Sequence, residues 1–225
     1  RRAGLTRLLF LDELRAEHEL IDRVCGSLRS FAAARARGEG APVEGAAFRR
    51  FFRVWAGAWH HAREEEALFP ALAANAELSL ETGPLASFVE QHHDMAKVLD
   101  GIDPLLDRAP LTEAEGRRLV ALVAEYTREL GRHIDAENSV LIPESEVRLR
   151  QANVLELPGR APTEAELAAH DEGLRLAAWI REAHPETGVL VLSQHVETTG
   201  AVDLVSRGGF GYLLKDRVLD VGDFL

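Results

Sequence analysis

The chain has 225 residues, a 46% hydrophobic composition and a formal net charge of -11. That is enough apolar material for a folded core, which excludes a disordered chain, and the acidic balance excludes a protein that tracks nucleic-acid phosphates. One cysteine, Cys25, excludes an intrachain disulfide and a multi-cysteine zinc or iron–sulfur site.

No apolar run reaches membrane-spanning length, and no charged-then-apolar leader opens the chain. A cytoplasmic protein with no membrane partner is therefore expected, and a start at Arg1 is expected of a fragment. Lysine occurs only at Lys97 and Lys215, while six of nine histidines fall between residues 18 and 133.

Apolar residues recur at spacings of three and four through the first 150 residues, which predicts helices at about 8–36, 44–75, 84–108 and 112–150. Gly38, Gly40 and Pro42 mark the first break. Gly83-Pro84 opens the third helix, and Thr112 with Glu115 forms a capping-box signature for the fourth. Short connections imply antiparallel neighbours, hence a mainly α, antiparallel four-helix bundle over 8–150. Residues 151–171 read as a linker with a turn at Leu157-Pro158-Gly159 and a second capping signature at Thr163 and Glu166.

From about residue 172 the pattern changes. A helix over 173–183, an apolar run Val189-Leu190-Val191-Leu192, a helix over 199–207 and a second run Tyr212-Leu213-Leu214 predict a partial parallel α/β segment over 172–225.

The histidines sit on the apolar stripes. On the first helix, Leu14, His18, Ile21, Cys25 and Leu28 follow spacings of four and three. On the third, Phe88, His92, Met95, Leu99 and Ile102 repeat them. The second and fourth helices each carry a His and a Glu one turn apart, His60 with Glu64 and His133 with Glu137. Leu68-Phe69-Pro70 and Leu141-Ile142-Pro143 then follow. His60 and His133 are 73 residues apart, as are Glu64 and Glu137, while His18 and His92 are 74 apart. The bundle thus reads as two similar helical hairpins that bring four imidazoles and two carboxylates to one centre. Bare carboxylates in an apolar core are costly, and two of them facing each other repel. Two metal ions relieve both penalties, and mixed nitrogen and oxygen donors favour iron, manganese or zinc.

Residues 8–150 resemble the hemerythrin-like (HHE) cation-binding family. The matching pieces are Glu17-His18-Glu19, His60 with Glu64, Glu65 and Leu68-Phe69-Pro70, then His92, and His133 with Glu137. The resemblance implies a non-haem di-iron centre that binds or senses oxygen, nitric oxide or iron. Glu64 and Glu137 would be its bridging carboxylates, and His18, His60, His92 and His133 its terminal ligands. Oxygen-carrying members have a second histidine four residues after the third-helix histidine, where this chain has Ala96. Simple oxygen carriage is therefore not expected, and His61, which can also face the core, is a further candidate ligand. His93 lies on a poorer stripe. Glu65 and Glu66 are expected in solvent. Phe51, Phe52, Trp55, Trp59, Cys25 and Tyr126 are expected in the core, and Gly57 at a close helix approach.

Residues 173–225 resemble the back half of a response-regulator receiver domain, through Val189-Leu190-Val191-Leu192-Ser193-Gln194 and Gly211-Tyr212-Leu213-Leu214-Lys215-Asp216. The resemblance implies a switch hydroxyl at Ser193 and a phosphate-pairing lysine at Lys215. No apolar strand ending in Asp precedes residue 171 outside the bundle, so phosphotransfer is not expected. The leading expectation is a di-iron module that senses oxygen, nitric oxide or redox state, with a diatomic ligand and a signalling partner or self-association through the C-terminal segment. The alternatives are a di-iron oxidoreductase and a bundle with a structural metal.

Overall fold

The computed structural model describes residues 8–39, 42–183, 189–193 and 210–214. Helix α1 spans Leu9–Ala36. Helix α2 covers residues 42–75 and changes pitch along its length. Pro42–Arg50 and Phe69–Asn75 are α-helical, whereas Phe51–His61 and Glu64–Leu68 take the wider π form. Helix α3 is Pro84–Leu106. Helix α4 covers residues 113–151, again with a π turn, at Glu137–Leu141.

Cross-helix pairs run in opposite directions. Glu13 and Glu17 of α1 meet Arg63 and His60 of α2, and Arg53 and Glu65 of α2 meet Asp103 and His92 of α3. His92 and Gly101 of α3 face His133 and Leu122 of α4, while His18 and Ala36 of α1 face Asn138 and Gly116 of α4. Each neighbour is antiparallel, so α1 to α4 form an up-and-down bundle with one histidine-bearing stripe per helix.

Local chemistry accounts for the boundaries. Gly38 and Gly83 take positive φ values of 79° at the two sharp turns. Thr112 accepts from the Glu115 N–H while Glu115 reaches back to the Thr112 N–H, a complete capping box. The two short π turns, at Glu64–Leu68 and Glu137–Leu141, have a sequence cause in Pro70 and Pro143. A proline inside a helix has no N–H to donate, and its ring crowds the carbonyl four residues back. Just before each proline the turn widens, with Phe69 N–H bonding the Glu64 carbonyl and Ile142 N–H the Glu137 carbonyl, five residues back in both cases.

One end of the core is built from Leu11, Leu14, Leu68, Phe69, Leu72, Ile142 and Leu149. Further along, Phe31 packs on Phe48 and Phe52 on both Phe51 and Tyr126. Trp55, Trp59, Cys25 and Tyr126 are buried as expected. Gly57 differs from expectation. A side chain there would meet only its own helix, whereas one at Gly45 would lie 2.2 Å from the Leu106 carbonyl, so Gly45 is the close approach.

After the bundle a strap returns over α1 and α2. It ends in α5, Glu164–Ala183, which runs without a break through the expected junction at 171–172. Thr163 and Glu166 cap it reciprocally. Up to residue 177 it belongs to the same compact unit as the bundle. Within it, Arg50 pairs with Glu172, and Gly173 lies so near Phe51 that an added Cβ would sit 2.2 Å from the ring.

In the second unit, β1 (Val189–Ser193) and β2 (Phe210–Leu214) pair in parallel, with Val191 opposite Tyr212. The helix expected over 199–207 and Lys215 lie outside the described residues. No helix among the described residues is long and apolar enough to cross a membrane.

Candidate metal centre

Each bundle helix delivers one imidazole to a common centre. His18, His60, Glu64 and Glu137 form one buried group of converging donors. His92, His133 and the same two glutamates form a second. The shared carboxylates are 0% exposed.

The outward nitrogen of every imidazole is engaged. His60 Nδ1 donates to Glu17 (2.8 Å) and His18 Nδ1 to Asn138 (2.8 Å). In the other half, His92 Nδ1 donates to Glu65 (2.6 Å) and His133 Nδ1 to Gln91 (2.9 Å). These acceptors fix the tautomer, so each neutral ring presents its Nε2 lone pair inward.

Inside, the Nε2 atoms of His18 and His60 are 3.0 Å apart, and those of His92 and His133 are 2.9 Å apart. Two nitrogen ligands about 2.1 Å from one ion, at roughly a right angle, are separated by about this distance. Glu137 reaches both halves, with oxygens 3.1 Å from His18 Nε2 and 3.1 Å from His133 Nε2. Glu64 does likewise, 3.9 Å from His18 and His60 and 3.4 Å from His92. All four oxygens of Glu64 and Glu137 are nevertheless buried without a properly directed hydrogen bond. Uncompensated carboxylates in a dry core are unfavourable by several kcal/mol or more. Paired lone pairs and orphaned anionic oxygens around one point are the environment that a cation satisfies.

In the metal-free chain, protons take part of that role. Burial pushes His18 down, but its contacts with Glu137 and the charge of Glu64 outweigh this and raise it to about 8. Burial likewise opposes charge on His92, yet Glu64 and Glu65 raise it to about 9. Burial works to raise Glu137, and His133 and His18 hold it well below the usual carboxylate range. One imidazolium per half thus bridges its partner nitrogen.

His61 takes a different place. Its ring stacks on His92 with centroids 3.8 Å apart and planes 5° from parallel. It groups with His92 and His133 as a third set of candidate donors, and its Nε2 has no hydrogen-bond partner. In-plane lone pairs of parallel rings do not converge, so His61 must leave the stack to share an ion with His92. Burial first, then the neighbouring imidazoles of His92, His60 and His133, push its pKa well below the usual value and keep it neutral.

His93 is exposed and Glu66 lies in solvent. Glu65 corrects the expectation of a solvated residue. It is only 33% exposed at the side chain, because it turns inward to receive the His92 proton. Glu17, Gln91 and Asn138 were also missed as partners of the site. Their signal lies in the repeat, since Glu17 and Gln91 precede the stripe histidines, and Glu65 and Asn138 follow the two glutamates.

The profile of the hemerythrin HHE cation binding domain matches residues 9–145. The chain belongs to this family. No curated protein and no solved structure matches it significantly. Cation binding, typically of iron, is the property of the hemerythrin HHE domain, and the buried His/Glu cluster fits a metal site.

Proposed function

We propose that the hemerythrin-type bundle binds two iron ions and senses oxygen, nitric oxide or redox state. His18 and His60 would hold one ion and His92 and His133 the other. Glu64 and Glu137 would bridge them, and His61 would stand beside the second ion. The observation that carries this reading is that two buried donor groups share the same two carboxylates, whose oxygens have no other directed partner. Iron held there would supply a reversible change of charge and coordination positions open to a small ligand.

Four donors per ion leave an octahedral iron site with positions for a small ligand, whereas the same four close a tetrahedral zinc site, so the identity of the metal separates a ligand-responsive centre from a structural one. The residues of the chain do the rest. The surrounding leucines and phenylalanines exclude bulk water, and the Nδ1 partners hold each ring in place.

Sensing needs an output, and the strap supports one. Arg160 lies over the Trp59 ring (4.9 Å), and Trp59, the neighbour of His60, donates to Glu17 (3.0 Å), which also holds His60. These contacts connect His60 to the strap that leads toward residues 172–225 and would be the route for such an output. The receiver-like reading of those residues supports a signalling partner or self-association there.

The experiment is metal content together with the absorption spectrum of anaerobically reduced protein, before and after air and again after oxygen is removed. Two irons per chain with new near-ultraviolet bands support the proposal. Bands that reverse favour ligand sensing, and bands that persist favour redox sensing. One zinc per chain, or no metal, with no spectral change overturns it.

A further inference from the structure

The four Nδ1 acceptors are not equivalent. In the His18/His60 half they are Glu17 and Asn138, and in the His92/His133 half they are Glu65 and Gln91. Each half therefore has one histidine backed by a carboxylate and one backed by an amide. The carboxylates differ in setting. Glu17 is buried and fixed by three donors, His60 Nδ1, Trp59 Nε1 and Arg63 Nη1. Arg63 is itself placed by Glu13 and by the ring of Phe10, 4.4 Å away. Glu65 is one-third exposed, and Gln91 is exposed.

We propose that Glu17 is a positioning residue that makes the His18/His60 half the tighter of the two metal sites, so that the bundle loads its ions in sequence. This rests on the two-metal reading above. A carboxylate that accepts the Nδ1 proton makes the imidazole a stronger donor and holds its orientation, and loss of such a partner weakens metal binding by roughly 10- to 100-fold. A buried, immobile carboxylate keeps this hydrogen bond free of competing water, although Arg63 shares its charge. At Glu65 water screens the charge and competes for the hydrogen bond. An amide, as at Gln91, orients the ring without lending it charge. The near-repeat of the two hairpins provides an internal control, because Gln91 stands where Glu17 stands in the other half, 74 residues on.

The test titrates chelator-stripped full chain with Co(II), without oxygen, in competition with a chromophoric chelator. The wild type is expected to bind in two steps. In Glu17→Gln, which keeps the shape and an acceptor oxygen but removes the charge, the tighter step weakens by roughly 10- to 100-fold while the weaker step stays in place. In Gln91→Glu the weaker step tightens and the two steps approach each other. Should Glu17→Gln fail to fold by circular dichroism, Gln91→Glu decides alone, since it adds a charge without removing a contact. Equal weakening of both steps in Glu17→Gln is the mark of a scaffold role and overturns the proposal. No change in either step, or no tightening in Gln91→Glu, overturns it as well. A wild type that takes up no Co(II) overturns the two-metal reading itself, a result separate from either of these.

Discussion

Metal-free protein should lose stability as pH rises from 6.5 to about 9, the opposite of the metal-loaded protein. His18 and His92 have folded-state pKa values of about 8 and about 9, against about 6.5 in an unfolded chain. A raised pKa contributes stability that is complete below 6.5 and disappears as pH climbs through the folded value. At about 1.4 kcal/mol per unit, the two histidines together contribute on the order of 5 kcal/mol. Below 6.5 the sign reverses through His61, whose depressed pKa favours its neutral form and makes its protonation destabilising. The metal-free optimum therefore lies near pH 6.5. Bound cations replace the bridging protons, so loaded protein should hold or gain stability over the same range. Urea denaturation in chelator and in ferrous iron, without oxygen and at half-unit steps from pH 6 to 9.5, measures both curves. A metal-free curve that stays flat or rises between pH 6.5 and 9 would refute the reasoning, because the carboxylates would then not be held by protonated histidines.

Metal uptake at neutral pH should expel protons, about one from each histidine pair, and calorimetry in buffers of different ionisation enthalpy counts them. Zero release would contradict a proton held within each histidine pair. Glu137→Gln, which touches both halves, should lower the affinity for both ions, whereas His92→Ala should spare one, with metal content by mass spectrometry separating the two patterns. Gly173→Leu collides with Phe51 and should free the strap to proteolysis without changing metal content. Thr112→Ala removes the capping box and should lower stability by about 1 kcal/mol, read by thermal melting, with metal binding intact.

Much of the bundle was legible because helical periodicity is local. The stripes through His18 and His92 depend only on spacings of three and four, and the two His–Glu pairs on a single turn. The repeat offset then placed all six residues in equivalent positions before any contact was known. Thr112 with Glu115 and Thr163 with Glu166 were readable for the same reason, as each cap closes within four residues.

Other features depend on what a different helix brings near. Glu65 has the composition of a solvated residue, and only the approach of α3 supplies the His92 proton that turns it inward. Glu17 stands beside a ligand in sequence, yet its partners His60, Trp59 and Arg63 all come from α2. Spacing at 3.6 residues per turn lets His61 face the core, but its stacking on His92 requires α3 to be in place beside α2. The sequence by itself determined which side chains line the core of each helix, because that is set by the pitch of one chain. Only the tertiary structure decided which acceptor backs which imidazole, because a hydrogen bond between helices requires both to be in place.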